Sequence, residues 1–242
     1  MKFAAVDIGN TFVKVSSEDG DVYKTPNLWE ALDYCSKKKM ENVAYCSTRK
    51  IADEDLQRIK AAGWWELRCN VSLPIELRYE TPETLGIDRL AGAIAANEMF
   101  PGQTVLIADV GTALTIDLVL ADGVYMGGNI SPGLQMRLDA LHHFTSRLPQ
   151  VGLEGETSYF GTDTEKAIRS GAKWGVVNEI MGAACIAGRE YGCTLVVITG
   201  TGSDIIEEDL RKEASNAEVR IEKYGNLVLA GLKKAYYYNH EL

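Results

Sequence analysis

Short apolar runs alternate along the chain with longer stretches whose apolar positions recur at helical spacing. A continuous apolar run of about four to eight residues is typical of a buried strand, whereas apolar positions three and four apart indicate a helix. On this basis we predict strands at 3–6, 12–16, 21–24, 42–46, 104–108, 113–120 and 194–199. We predict helices at 29–39, 53–62, 85–100, 134–144, 164–191 and 227–238, with the helix at 164–191 broken at Gly171 or Gly175. This order of elements predicts a mixed α/β fold.

One pattern occurs twice: an apolar strand, a turn containing Asp-x-Gly and Thr, and a returning strand. The first turn is Asp7-Ile8-Gly9-Asn10-Thr11 and the second is Asp109-Val110-Gly111-Thr112, so the two aspartates lie 102 positions apart. Matching strands on both sides of each turn favour an internal duplication over chance. We therefore expect two related halves, residues 1–100 and 101–242, that face each other across a cleft.

The composition narrows the classes of function. Of the 242 residues, 46% are hydrophobic and 24% are charged, and the net charge is −9. This negative charge argues against a nucleic-acid partner. No apolar run reaches the ~18 residues that a membrane span needs, and Asp7 interrupts any signal-peptide core. Five cysteines without a C-x-x-C pair are expected to be reduced thiols, so we expect a cytoplasmic protein with no membrane partner.

The first turn carries groups that suit a phosphate. Gly9 lets an anion approach the backbone, and the turn N–H groups, the Thr11 hydroxyl and the Lys14 ammonium can donate to phosphate oxygens. Asp7 suits Mg²⁺, which prefers one or two carboxylates together with phosphate and water. A plain hairpin turn with a solvated Lys14 is the alternative. The second copy of the turn favours phosphate binding, because two such hairpins can hold a nucleotide tail from both sides.

Several common sites are absent from the sequence. There is no G-x-x-x-x-G-K-[ST] motif, so a P-loop enzyme is excluded. Gly200-Thr201-Gly202 does not complete a G-x-G-x-x-G motif, which argues against a dinucleotide fold. No His/Cys cluster has zinc spacing, and the adjacent pair His142-His143 is better explained as surface or interface than as metal ligands.

Three further stretches contain residues that suit a substrate or ligand site. Gly86-Ile87-Asp88-Arg89 stands at a predicted helix start, where the helix dipole and Arg89 favour an ionised Asp88 that can accept a proton from a substrate hydroxyl. The alternative is an aspartate that only satisfies amides of the first helical turn. Gly127 to Gly133 predicts a tight loop that presents a helix N-terminus to a ligand, or a plain strand–helix connection. Thr164 is the expected N-cap of the following helix.

In this order and spacing, the motifs resemble those of the type III pantothenate kinases, in the acetate and sugar kinase/Hsp70/actin superfamily. The resemblance rests on D-x-G-N-T-x-x-K at Asp7 to Lys14, G-x-D-R at Gly86 to Arg89, D-x-G-T at Asp109 to Thr112, G-G-x-I-x-P-G at Gly127 to Gly133, and the segments 161–171 and 226–232. It implies two duplicated actin-like (ribonuclease H-like) domains, each a mixed sheet with flanking helices. It also implies ATP-dependent phosphorylation of pantothenate to 4′-phosphopantothenate, the first step of coenzyme A biosynthesis.

The resemblance further implies residue roles. The ATP contacts are Asp7 (which also meets Mg²⁺ through phosphate or water), Ile8, Gly9, Asn10, Thr11, Phe12, Val13, Lys14 and Thr112. The pantothenate contacts are Tyr79, Gly86, Ile87, Asp88, Arg89 and Thr164, with Asp88 as proton acceptor and Thr164 supplied by the partner subunit of a homodimer. Asp109 binds a monovalent cation, K⁺ or NH₄⁺. The family's T-G-G turn reads Thr199-Gly200-Thr201-Gly202 here, which predicts weak ATP affinity.

Other functions remain open at this level. A kinase for another small hydroxyl or carboxylate metabolite, a phosphatase and a polyphosphate hydrolase would all bind phosphate with the same loops. A non-catalytic member, either an actin-like polymer or a nucleotide sensor, is the alternative of a different class. The short chain argues against a filament, and the presence of Asp88 and Arg89 argues against an inactive sensor. No basic recognition helix supports a transcriptional activator.

Overall fold

The computed structural model describes residues 2–18 and 20–240 of the chain. The strands are β1 (Phe3–Ile8), β2 (Val13–Ser17), β3 (Val22–Thr25), β4 (Asn42–Ser47), β5 (Trp65–Glu66), β6 (Glu76–Leu77), β7 (Val105–Val110), β8 (Ala113–Val119), β9 (Val124–Pro132), β10 (Leu195–Thr199) and β11 (Arg220–Lys223). The helices are α1 (Leu28–Lys37), α2 (Asp53–Ala61), α3 (Ile87–Met99), α4 (Leu134–Phe144), α5 (Thr164–Tyr191), α6 (Ser203–Asn216) and α7 (Leu227–His240), with a short 3₁₀ turn at Pro82–Thr84. Among these described helices, none combines the length and the apolar character needed to cross a membrane.

The chain forms two compact units. The first comprises the described residues within Met1–Pro101, Gly123–Tyr125 and Asn226–Leu242, and the second comprises Gly102–Asp122 and Met126–Gly225. The expected halves, 1–100 and 101–242, differ from these units because the C-terminal helix and the start of β9 belong with the N-terminal residues.

The position of α7 has a packing reason. Helix α7 lies against α3 and β1. A Cβ atom at Gly231 would lie 1.8 Å from the carbonyl oxygen of Ala91, so the two helix backbones approach as closely as only glycine allows. Phe3 in β1 packs its ring 5.1 Å from that of Tyr236. The apolar face of α7 is therefore buried in the first unit.

The sheet of the first unit has the order β3-β2-β1-β4-β5, with β1 antiparallel to β2 and parallel to β4. All six residues of β1 are buried, as expected for a central strand covered on both faces. The register places Asp7 opposite both Lys14 in β2 and Cys46 in β4. The polar residue of this otherwise apolar strand therefore has its neighbours fixed by the sheet itself.

The sheet of the second unit has the order β11-β10-β7-β8-β9, and β6 pairs with Val124 and Tyr125 at the start of β9. Strands β7 and β8 form an antiparallel hairpin, as β1 and β2 do in the first sheet. Both predicted hairpins are confirmed. The core of this unit lies between the sheet and helices α5 and α6, and it includes Leu106, Val110, Val176, Ile180, Ile198, Ile206 and Leu210.

Three sequence-based expectations about local structure were wrong. Helix α5 runs unbroken from Thr164 to Tyr191, because a single glycine in a long, packed helix costs only about 1 kcal/mol. Its N-cap is Asp163, which accepts a hydrogen bond of 2.8 Å from the Lys166 N–H, and Thr164 is the first helical residue. The segment Gly127 to Pro132 continues β9 rather than forming a loop.

Candidate active site

The turn between β1 and β2 leaves its backbone open to a ligand. The Gly9 N–H donates to the Phe12 carbonyl oxygen at 3.0 Å, which closes the turn. A Cβ atom at Gly9 would lie only 3.0 Å from that same oxygen, so glycine suits the position. Asn10 and Thr11 at the tip are exposed, together with the Phe12 ring. The predicted phosphate loop therefore has the geometry of an open, glycine-containing turn.

Asp7 is a buried carboxylate directly before this turn. The residue is 8% exposed, and its Oδ2 lies 3.9 Å from the Lys14 ammonium. The fully buried Cys46 thiol donates to Oδ1 at 3.9 Å. Burial raises the pKa of Asp7 to about 6, Lys14 opposes that rise, the negative charge of Asp88 adds to it, and the Cys46 hydrogen bond lowers it. At neutral pH Asp7 is therefore an incompletely compensated buried anion that a cation would stabilise.

Asp88 and Arg89 lie at the start of α3, as predicted. Gly86 is the residue before the helix, and a Cβ atom there would lie 2.7 Å from Asp88 Oδ1, so glycine leaves room for the carboxylate. The Arg89 backbone N–H donates to the same oxygen at 2.9 Å. The negative charge of Asp88 contributes to the raised pKa of Asp7, so the two carboxylates interact electrostatically.

Aromatic residues pack beside Arg89. Arg89 is 7% exposed, and its guanidinium carbon lies 5.9 Å from the centroid of the Tyr79 ring. Tyr79 in turn lies 6.1 Å from the ring of Tyr125. The Arg78 N–H donates to the Tyr125 carbonyl oxygen at 2.9 Å, which extends the β6–β9 pairing and fixes the backbone that carries Tyr79. Three predicted site residues of the first unit, Tyr79, Asp88 and Arg89, therefore belong to one region.

The sequence analysis missed two residues of this region, Cys46 and Tyr125. Cys46 lies far along the chain from Asp7, and only the β1–β4 register brings them together. Tyr125 is fully buried behind Tyr79 at the start of β9. No local motif marks either residue, so pairing between distant strands is the signal that would have found them.

In the second unit, the turn between β7 and β8 packs against a glycine turn that follows β10. Gly200 adopts a φ of +87°, and a Cβ atom there would lie 2.3 Å from Asp109 Oδ1. The Gly202 N–H donates to the Val110 carbonyl oxygen at 2.8 Å. Glycine at position 200 is therefore required for the turn to lie against the Asp109 carboxylate, whereas the neighbouring Thr201 is exposed.

Thr112 is held from the other side by the residue that precedes α4. The Gly133 N–H donates to the Thr112 carbonyl oxygen at 3.1 Å. A Cβ atom at Gly133 would lie 2.3 Å from the Gly111 carbonyl oxygen, so the two backbones are in direct contact. Thr112 itself is exposed, as is Thr164 at the start of α5 in the same unit.

No group of three or more His, Cys, Asp or Glu side chains is placed to hold a metal ion anywhere in residues 2–18 or 20–240. The Asp7 carboxylate, beside an open turn, fits a magnesium ion whose remaining ligands are phosphate oxygens and water.

Comparisons with known proteins identify the family. The family model described as type III pantothenate kinase matches residues 3–186. A type III pantothenate kinase of Bacteroides fragilis is 38% identical and covers 97% of this chain and 97% of its own length. Its counterpart in Porphyromonas gingivalis is 32% identical, again over 97% of each chain.

Solved structures that are distant in sequence share the fold. The activator of 2-hydroxyisocaproyl-CoA dehydratase from Clostridium difficile, solved with bound ADPNP, has a TM-score of 0.55 at 12% identity and covers 100% of this chain and 95% of its own. Component A of the (R)-2-hydroxyglutaryl-CoA dehydratase of Acidaminococcus fermentans has a TM-score of 0.54 at 14% identity, over 100% and 98%. These similarities agree with the predicted two-domain actin-like α/β fold. Together, the matched family model and the near full-length relatives show that this chain belongs to the type III pantothenate kinase family.

Proposed function

We propose that the protein transfers the γ-phosphoryl group of ATP to a hydroxyl of pantothenate, giving ADP and 4′-phosphopantothenate for coenzyme A biosynthesis. Family membership supports the reaction. The observation that carries the assignment of residues is that the buried Asp7 forms an ion pair with Lys14 beside an open glycine turn, and that the charge of Asp88 contributes to the raised pKa of Asp7.

Phosphoryl transfer depends mainly on positioning and on neutralising the charge of the phosphates. The backbone of residues 8–13 and the ammonium of Lys14 donate to the phosphate oxygens. When bound, Mg²⁺ neutralises charge on the transferred group, and Asp7 would hold it directly or through water. The raised pKa of Asp7 fits this role, because a nearby cation favours the ionised form that burial disfavours.

Asp88 accepts the proton of the pantothenate hydroxyl. Its carboxylate is oriented by the Arg89 N–H and by the space that Gly86 leaves. The buried Arg89 guanidinium and the Tyr79 ring, which lie together, line the pantothenate site with Gly86 and Ile87. An anionic group of the substrate would pair with Arg89.

As the family resemblance implies, we assign Thr112 to the ATP phosphates and Asp109 to a monovalent cation, K⁺ or NH₄⁺. The close packing of Gly200 on Asp109 supports a fixed orientation of this carboxylate. Thr201, which stands where the family has glycine, projects from the same turn and would weaken contacts with the nucleotide.

The active form would be a homodimer in which Thr164 reaches the pantothenate site of the partner subunit. Large apolar side chains on the second unit support this proposal: Phe144 and Phe160 are each 81% exposed, and Ile130 is 65% exposed. The five cysteines are free thiols, which supports a reducing, cytoplasmic environment.

An ADP-release assay with purified protein tests the proposed reaction. We expect ADP to form only when ATP, Mg²⁺ and pantothenate are all present, and to form faster with added K⁺ than with Na⁺. ADP release at the same rate with and without pantothenate would indicate a phosphatase. ADP release only with a different hydroxyl compound would indicate another kinase, and no ADP release would favour a non-catalytic nucleotide-binding protein. Each of these three results would overturn the assignment.

A further inference from the structure

Arg137, in the first turn and a half of α4, connects this helix to the end of β9. Its Nε donates to the Pro132 carbonyl oxygen at 2.8 Å, and its Nη2 donates to the Ser131 hydroxyl at 3.3 Å. The Arg137 side chain is only 21% exposed. A single guanidinium therefore fixes both residues that lead into Gly133.

Helix α5 holds this guanidinium from the opposite side. The Nη2 group also forms an ion pair with the Glu179 carboxylate, which is itself half-buried. One helical turn earlier, a Cβ atom at Gly175 would lie 2.9 Å from Arg137 Nη1, so glycine gives the guanidinium its place against the helix. A planar fork of donors suits such a multiple contact, and a lysine ammonium does not reproduce it.

The segment that Arg137 holds, Ser131 to Gly133, is in direct contact with the Gly111–Thr112 turn between β7 and β8. Gly133 donates to the Thr112 carbonyl oxygen, and a Cβ atom at Gly133 would lie 2.3 Å and 2.5 Å from the carbonyl oxygens of Gly111 and Thr112. Because there is no free space between the two backbones, a displacement of Pro132 and Gly133 would move the Gly111–Thr112 turn with them.

We propose that Arg137, braced by Glu179, is a positioning residue that sets the ATP affinity by holding Pro132 and Gly133 against the Thr112 phosphate turn. The proposal rests on the role assigned above to Thr112. A tenfold change in affinity corresponds to about 1.4 kcal/mol, which is the usual worth of one hydrogen bond, so relaxation of the turn that carries Thr112 should raise the Kd and KM for ATP by about tenfold. The kcat at saturating ATP should stay within about threefold of the wild-type value.

Arg137→Lys separates positioning from the ion pair. A lysine can still pair with Glu179, but its three N–H donors lie on one nitrogen, so it has no separate nitrogen to replace the Arg137 Nε that donates to the Pro132 carbonyl oxygen. We therefore expect Arg137→Lys and Arg137→Met to raise the Kd for ATP to a similar extent, measured by titration calorimetry with Mg²⁺-ATP. Ser131→Ala, which removes only the contact of 3.3 Å, should give a smaller increase.

Arg211→Lys is the matched control, because Arg211 in α6 pairs with Glu207 and donates to the Ile221 carbonyl oxygen at 2.6 Å in the same unit. It should leave the Kd for ATP within about twofold of wild type. Wild-type ATP affinity in folded Arg137→Lys, or an equal loss of affinity in Arg211→Lys, would overturn the proposal. If Arg137→Met does not fold, Arg137→Lys and Ser131→Ala decide the question.

Calorimetry does not require turnover. A wild-type protein that binds ATP without phosphorylating pantothenate would therefore refute the proposed reaction and still leave Arg137 testable.

Discussion

Removal of the Asp7 carboxylate should stabilise the nucleotide-free protein while it disables the active site. Asp7 is buried beside the like charge of Asp88, and the Lys14 ammonium at 3.9 Å compensates it only in part. Asp7→Asn keeps the size and shape of the side chain and removes the charge. The Asp7 charge therefore destabilises the nucleotide-free protein, while its proposed role is to bind a cation with the ligand.

The magnitude follows from the pKa of Asp7, which rises from the ordinary value of 3.8 to about 6 on folding. A shift of about two units corresponds to about 3 kcal/mol, at about 1.4 kcal/mol per unit. Between these two pKa values the folded state binds more protons than the unfolded state, so the free energy of unfolding of wild type falls as the pH rises. Above about pH 7 the destabilisation of wild type by the ionised Asp7 no longer changes with pH. Asp7→Asn has no charge at this position and lacks this destabilisation at every pH.

Urea denaturation of the nucleotide-free protein at pH 4.5 and at pH 7.5 measures this effect. We expect Asp7→Asn to be more stable than wild type by up to about 3 kcal/mol at pH 7.5, and the difference to shrink markedly at pH 4.5. Asp21→Asn, at an exposed position in the same unit, is the control and should show no such trend. An Asp7→Asn protein that is less stable than wild type at pH 7.5, or a stability difference that does not change with pH, would refute the reasoning.

Four further results are expected. Asp88→Asn should lower kcat by roughly 10²- to 10⁴-fold in a protein that remains folded by circular dichroism, and near-native turnover would remove Asp88 from the mechanism. Asp109→Ala should weaken the activation by potassium, and an unchanged response in a potassium titration would argue against the cation site. Wild type should have a KM for ATP well above the low-micromolar range, and Thr201→Gly should lower it; a low-micromolar KM in wild type would contradict the role given to Thr201. Equimolar dimers re-formed from Asp88→Asn and Thr164→Val proteins should regain up to about a quarter of wild-type activity, because one site in each mixed dimer is intact; no recovery would contradict the sharing of Thr164 between subunits.

Local sequence patterns predicted the hairpins and the start of α3. Each hairpin, at 3–17 and 105–119, is encoded by an apolar strand, a glycine turn and a returning strand within about 15 consecutive residues, and helix-start signals such as Gly86 before Ile87 are also local. This is why roles for Asp7, Lys14, Asp88 and Arg89 could be predicted before their contacts were known.

Long-range packing could not be predicted in the same way. The docking of α7 depends on a close approach at Gly231 to a helix far away in the sequence, and the contact of Cys46 with Asp7 depends on strand register. Strand β11 has a single buried residue, Ile221, so it has no apolar run that predicts a strand. It is a strand because it pairs with β10. Helix α6 was not predicted, although the sequence contains the signal for it. Its buried residues Ile206, Leu210 and Ala214 recur at helical spacing.

Transfer of radiolabel from γ-³²P-ATP to pantothenate tests the central claim most directly. The protein should convert the label into 4′-phosphopantothenate, identified by chromatography against the authentic compound, and the Asp88→Asn protein should do so far more slowly. Label that stays in ATP, or that appears as inorganic phosphate in the presence of pantothenate, would contradict the account.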